Sequence, residues 1–292
     1  MDSAKIASDY LQKVSELTDR KLDEHLPQDS LRPKRMHEAM RYSIFAGGKR
    51  LRPALAYATW EAFGGKDDKI FYVTSALEML HTFSLIHDDL PCMDDDDFRR
   101  GRPTAHKQYD EATAILAGDA LCIHAFELLA HTGKLEIIST VGKSLGTAGM
   151  IGGQIIDIES EGQNADLETI DFIHYHKTAA LIESSLVSGA QVAGASLEEQ
   201  AIVKEYGRSI GLAFQIVDDI LDITSTTEAL GKDVGSDVEK GKATYPSVLG
   251  LDESMKSAQN LYEISIQALD KLEGRDTEIL RHIASFIITR MN

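Results

Sequence analysis

Six carboxylates fall within ten residues of this chain, in the run His87-Asp88-Asp89-Leu90-Pro91-Cys92-Met93-Asp94-Asp95-Asp96-Asp97. Left uncompensated they repel one another strongly, and a hard divalent cation with oxygen ligands is the natural compensation. On an unbroken helix Asp88 and Asp94 would lie about 240° apart and could not share a ligand field. Pro91 resolves this, because it disfavours helix at Leu90 and lets Asp94 fold back beside Asp88. A solvated acidic loop is the plainer alternative. A second group lies in Phe214-Gln215-Ile216-Val217-Asp218-Asp219-Ile220-Leu221-Asp222. Four residues apart on a helix, Asp218 and Asp222 share a face, about 40° from each other. Phe214, Val217, Ile220 and Leu221 flank that face, so the carboxylates point toward an interior or cavity, where uncompensated charge is expensive. A second cation site explains the placement; a surface charge cluster is the alternative.

Basic residues beside glycines are the counterpart. Gly47-Gly48-Lys49-Arg50-Leu51-Arg52-Pro53 and Arg99-Arg100-Gly101-Arg102-Pro103 look like phosphate seats. Arginine offers a planar fork for phosphate oxygens, and glycine lets the backbone come close, which gives Lys49, Arg52, Arg99 and Arg100 the right chemistry. Each cluster alone could equally be a solvated turn or a structural partner for a nearby Asp. Lysines also punctuate Gly231-Lys232-Asp233 and Lys240-Gly241-Lys242-Ala243-Thr244-Tyr245-Pro246, and Lys177-Thr178 follows His174 and His176. A zinc site from His174, His176, His81 and His87 lacks the usual ligand spacing, and the carboxylates favour Mg²⁺.

The elements that must position these groups are helices. Ile6, Tyr10, Val14 and Leu17 recur at three and four residues, as do Ile210, Phe214, Val217 and Leu221. Helical runs continue through 111–131, 138–160, 168–195, 198–224, 254–273 and 276–290, and alternating β-branched patterns are nearly absent. The fold class is therefore all-α, read as a single domain over 1–292. The polar segment 224–246 is long for a connection inside a compact domain, which marks it as a functional loop.

Composition narrows the function. The 292 residues carry 30 Lys and Arg against 47 Asp and Glu, a net charge of −17. So acidic a chain disfavours nucleic acid and anionic membranes as partners. Cys92 and Cys122 are too few for a disulfide framework or a thiolate metal cage, which suggests a reduced, cytoplasmic setting. The N-terminal residues show no export signal, and apolar stretches such as 178–195 are interrupted too soon for a membrane span.

Taken together, Gly48-Lys49-Arg50-Leu51-Arg52-Pro53, Asp88-Asp89-(four residues)-Asp94 with Arg99-Arg100-Gly101, Gln215-(two residues)-Asp218-Asp219-Ile220-Leu221-Asp222, and Gly231-Lys232 through Lys242-Ala243-Thr244-Tyr245-Pro246 resemble the trans-prenyl diphosphate synthases over about 30–250. The four-residue gap before Asp94 is similar to the bacterial farnesyl and plant-type geranylgeranyl branch. The resemblance implies an isoprenoid synthase-like helical bundle around a deep apolar cavity, with the two aspartate motifs facing across its mouth and three Mg²⁺ ions between them. It implies that Asp88, Asp94 and Asp218 bind Mg²⁺ directly, with Asp89 and Asp222 supporting or sharing ions. Lys49, Arg52, His81 and Arg100 would hold isopentenyl diphosphate. Arg99, Lys177, Lys232 and Lys242 would hold the allylic diphosphates, with Thr178 and Gln215 near the reacting carbons and the 224–246 loop as a lid. It further implies a homodimer.

In that family product length depends on the residues four and five before the first aspartate, here Ser84 and Phe83. Burying one more five-carbon unit favours elongation by roughly 4 kcal/mol, at about 0.8 kcal/mol per CH₂, so a ring that clashes with the growing tail can set a stop. Phe83 resembles the aromatic of farnesyl-forming enzymes, whereas Pro91-Cys92-Met93 also appears in plant-type geranylgeranyl enzymes. Farnesyl diphosphate is the expected product and geranylgeranyl diphosphate the alternative. A terpene cyclase would carry Asn and Ser in place of Asp218 and Asp222. A non-catalytic subunit of a heteromeric synthase usually loses one aspartate motif, and a Ca²⁺-binding module leaves Lys49, Arg52, Arg99 and Arg100 without purpose.

Overall fold

A computed structural model describes residues 2–163, 165–224 and 244–291. Helices dominate them, as the apolar periodicity predicts. The chain divides into two compact units. One comprises Leu11–Ala54 and Asp67–Ile138; the other comprises Met1–Tyr10, Leu55–Lys66 and Ser139–Asn292.

In chain order the first helices are α1 (Ser3–His25), α2 (Lys34–Ile44), α3 (Leu51–Ala62) and α4 (Ile70–Asp88). Two short strands follow, β1 (Phe98–Arg99) and β2 (Arg102–Pro103), then α5 (Ala105–Gln108) and α6 (Glu111–Ala130). Within the first unit α4 packs against α6 and α2. Apolar on nearly every side, α4 is buried along most of its length, as a central helix must be. Asp110 starts α6 by accepting a bond from the Thr113 amide at 2.7 Å. By length and composition alone α6 could cross a membrane. One face of it packs against α4, with Leu121, Ala125 and Leu129 buried.

The strands form an antiparallel hairpin with Phe98 opposite Pro103. Its two-residue tip, Arg100-Gly101, has φ of +54° and +74°. Two successive positive φ values match the right-handed twist of the flanking strands. The basic motif is thus the tip of a hairpin, which the sequence pattern did not foretell.

The second unit contains α7 (Leu135–Leu145, from Ser139 onward), α8 (Met150–Ser160), α9 (Leu167–Ile173), a π-helical segment (His174–Ala179), α10 (Ala180–Ala193) and α11 (Leu197–Thr224). After them come α12 (Tyr245–Leu249), α13 (Leu251–Asp270) and α14 (Glu278–Thr289). The runs expected over 138–160 and 168–195 are therefore broken, at 146–149 and at the π segment. A reciprocal pair of bonds starts α11: Ser196 donates its amide to Glu199 Oε2 at 2.7 Å, and the Glu199 amide donates to Ser196 Oγ at 3.2 Å. This helix packs against α10 and α13, and Tyr206, fully buried, donates its hydroxyl to the Leu280 carbonyl at 2.9 Å.

One buried ion pair anchors the basic loop of the first unit. Arg50, 2% exposed and at φ +47°, lies 2.7 Å from Glu78 Oε1 and 2.8 Å from Asp19 Oδ1. It also donates to the Ile44 and Gly47 carbonyls. Removing one member of such a pair leaves a buried charge without its partner, at a cost of about 3–5 kcal/mol. Arg50→Met is expected to lower stability in urea unfolding by about that amount, and the Arg50→Met/Glu78→Leu double variant by less; equal losses in both would contradict this role.

Candidate active site

The first unit holds Lys49, Arg52, His81, Phe83, Ser84, Asp88, Asp89, Asp94, Arg99 and Arg100. Helix α4 ends at Asp88, and the turn containing Pro91 brings the chain back so that the Asp94 amide donates to the Asp88 carbonyl at 2.8 Å. The fold-back read from Pro91 is present. Asp89, 3% exposed, accepts from Arg99 at 2.6 Å. Burial opposes charge on Arg99, yet Asp89 overcomes it and holds the guanidinium above its ordinary pKa. Asp89 is thus turned onto a base. Among the described residues, Asp88, Asp89 and Asp94 do not form a group whose ligand atoms lie within 4.8 Å of one another.

The cations of this unit gather around His81. Arg100 donates to the Gly47 carbonyl, and a Cβ at Gly48, whose φ is +127°, would lie 2.6 Å from the Arg100 guanidinium. That φ favours glycine, and the missing Cβ leaves room for the guanidinium. Burial first, and then Arg52, Arg100, Arg99 and Arg50, hold the His81 imidazole well below its usual pKa of 6.5. Burial and Arg100 likewise push Arg52 down to about 10, opposed by Glu78; it remains a cation at neutral pH. Arg52 Nε and Thr82 Oγ1 are both buried without a hydrogen-bond partner. A small pocket is lined by Thr82, Asp89, Arg99 and Arg100, among others. Crowded guanidinium groups with an unused buried donor are what an anion with several oxygens would satisfy. Lys49 is exposed beside them in sequence.

The second unit holds Lys177, Thr178, Gln215, Asp218 and Asp222. Asp222 is fully buried, as its apolar flanks predicted, while Asp218 lies 3.0 Å from Arg290 and keeps a third of its side chain exposed. Lys177 and Thr178 sit on the π-helical segment, a local widening that often marks functional helices. Gly153 permits α8 to approach this segment: a Cβ there would lie 2.4 Å from the Lys177 amide nitrogen. Lys177 pairs with Asp157 at 2.6 Å. Thr178 donates to Gln215 Oε1 at 2.9 Å, and Gln215 Nε2 donates to Asp219 at 3.2 Å.

Asp219 is the hub that sequence reasoning passed over. Only 3% exposed, it also accepts from the Tyr245 amide at 3.0 Å and lies 3.2 Å from His174 Nε2. His174 stacks on Tyr245 at 5.3 Å, whereas His176 stacks on Phe172, so the two histidines serve different packings. The Tyr245 hydroxyl bonds Asp171. Asp157, Asp219 and Arg290 were missed because each pairing joins distant parts of the chain; for Asp219 its place inside Asp218-Asp219-Ile220-Leu221-Asp222 was the available signal. Lys232, Lys242 and the lid expected over most of 224–246 lie outside the described residues, which resume at Thr244.

Comparison with known proteins gives concordant matches. Residues 33–280 match the polyprenyl synthetase family. A geranylgeranyl diphosphate synthase of Cyanophora paradoxa is 45% identical, over 97% of this chain and 96% of its own length. Among solved structures, an FPP/GFPP synthase from Zymomonas mobilis is 38% identical with a TM-score of 0.85, covering 98% of this chain and 99% of that one. A geranyltransferase from Helicobacter pylori, complexed with magnesium and isoprenyl diphosphate, is 35% identical with a TM-score of 0.83, covering 97% of each chain.

The crowding of cations around His81 has a measurable consequence. In the unfolded chain the ring takes up a proton as pH falls through 6.5, whereas the folded ring resists it, so stability is expected to decline as pH drops below 6.5 toward the lower folded value. The His81 ring resonances should not titrate near 6.5 by NMR; a midpoint at or above 6.5 would contradict the clustering.

Proposed function

Because the chain belongs to the polyprenyl synthetase family, we propose that it is a short-chain prenyl diphosphate synthase joining isopentenyl diphosphate to allylic diphosphates. The observation that carries this reading is the cluster of Arg52, His81, Arg99 and Arg100, with Arg52 Nε unsatisfied, adjoining the fold-back of Asp94 onto Asp88. Lys49, Arg52, His81 and Arg100 bind isopentenyl diphosphate. His81 does so as a neutral ring, through a hydrogen bond rather than a charge. Arg99, Lys177, Lys232 and Lys242 orient the allylic diphosphate, and Thr178 and Gln215 lie near the reacting carbons.

Asp88, Asp94 and Asp218 hold Mg²⁺, three ions per site, with Asp89 and Asp222 supporting them. The donor set fits that ion: every ligand is a carboxylate oxygen, and Asp218 already accommodates a cation in Arg290. When bound, Mg²⁺ supplies positive charge that stabilises diphosphate as a leaving group. The arginines and lysines hold that diphosphate as the allylic C–O bond breaks and its electron pair departs. Positioning of isopentenyl diphosphate lets its double bond attack the allylic cation, forming the new C–C bond before a proton is lost.

Phe83, buried on α4 and set edge-on to His87 at 5.0 Å, supports a fifteen-carbon product. The twenty-carbon product is the second reading, favoured by the Cyanophora relative. A homodimer is supported by Ile115, Leu116 and Ile123, large apolar side chains exposed on α6. The free thiols Cys92 and Cys122 support a cytoplasmic setting.

Asp88→Ala and Asp218→Ala should each lower turnover by about 100-fold or more with an unchanged helical circular dichroism signal. Near-normal turnover in both would contradict the metal assignment. Phe83→Ala is expected to shift products to longer alcohols after dephosphorylation and chromatography, and an unchanged distribution would place the cavity floor elsewhere.

A further inference from the structure

We propose that Asp95, Asp97 and His106 form a site for a transition-type divalent cation, taking Zn²⁺ or Mn²⁺ through one imidazole and two carboxylates. These residues belong to neither the magnesium nor the diphosphate assignments above. A ring nitrogen of His106 and a carboxylate oxygen of each aspartate lie within 4.8 Å of one another. Among the described residues this is the one such group of three or more potential ligands.

The second observation is the state of the histidine ring. His106 is 7% exposed on α5, and its Nε2 is buried without a hydrogen-bond partner. Its Nδ1 lies 3.1 Å from Thr104 Oγ1, which lies 2.8 Å from the Asp96 carbonyl oxygen. A carbonyl brings no proton, so the hydroxyl proton of Thr104 lies on the path to Asp96. The proton between Thr104 and His106 must then come from Nδ1. In the neutral ring that assignment leaves a lone pair on Nε2, the form in which imidazole binds a metal, with the other nitrogen fixed by an outer hydrogen bond.

Charge and reach agree with an ion. Lys107 lies 2.7 Å from Asp97 Oδ1 and offsets one of the two carboxylates. A water could cap Nε2 but would not compensate Asp95. With metal–ligand bonds of about 2.1 Å, neighbouring ligand atoms lie about 3 Å apart and opposed ones about 4.2 Å. The carboxylates of Asp95 and Asp97, on exposed residues, need swing inward by only about an ångström, while buried His106 holds its place. An imidazole ligand favours Zn²⁺ over Mg²⁺, the two carboxylates also suit Mn²⁺, and all-carboxylate sets favour Mg²⁺.

The test uses the full chain in excess Mg²⁺, which occupies the all-oxygen sites. Titration with Zn²⁺ should show one additional ion per chain, and Mn²⁺ bound there should show nitrogen modulation in pulsed EPR from a coordinated imidazole. His106→Ala should abolish that modulation and weaken Zn²⁺ binding by about tenfold or more. Asp95→Asn guards against misfolding of the buried substitution, because Asp95 is exposed and Asn tolerates its φ of +51°; it too should weaken Zn²⁺ binding. Asp88→Ala and Asp218→Ala should leave the modulation intact. Mn²⁺ without nitrogen coupling, or Zn²⁺ affinity unchanged in Asp95→Asn, would overturn the site whether or not the chain makes prenyl diphosphates.

Discussion

Charges held close together away from water must find partners, and the pair of Arg50 with Glu78 is where this constraint acts most deeply. Both are almost fully buried, and Asp19 completes the compensation. An unpartnered charge at this depth would cost several kcal/mol, so the basic loop has one arrangement available to it. With Arg50 committed inward, the Gly47-Gly48 turn is fixed, and Arg100 can bond the Gly47 carbonyl. Lys49-Arg50-Leu51-Arg52 thus combines an internal strut at Arg50 with an unused buried donor at Arg52.

The second unit solves the same problem with a carboxylate at its centre. Asp219 is surrounded by Gln215, the Tyr245 amide and His174, so its charge is absorbed by fixed hydrogen bonds. Asp218, one residue earlier and more exposed, is paired with Arg290. Lys177 is likewise held by Asp157. Neighbouring residues of one motif therefore divide into those bound to the framework and those whose side chains remain within reach of solvent.

Much of this was legible in the sequence because it depends on local rules. Helical period located α1, α6, α11 and α13, and Pro91 indicated the return of Asp94 toward Asp88. The apolar flanks of Asp222 indicated its burial. Pairings between distant segments were not legible: nothing local distinguishes Arg50, which is structural, from Arg52, which retains an unused donor. The same holds for Asp157 with Lys177 and for Arg290 with Asp218. The hairpin tip at Arg100-Gly101 and the π turn at His174–Ala179 depend on backbone geometry that apolar periodicity does not encode.

The central claim is that these carboxylates and cations exist to ionise and elongate an allylic diphosphate. Its most direct test is incubation of the unmodified chain with Mg²⁺, labelled isopentenyl diphosphate and, separately, five-, ten- and fifteen-carbon allylic primers, followed by dephosphorylation and chromatography of the alcohols. The account predicts labelled prenyl alcohols one or more five-carbon units longer than the primer, and none when Mg²⁺ is chelated. Absence of any elongated alcohol with every primer, from folded protein in the presence of Mg²⁺, would contradict it.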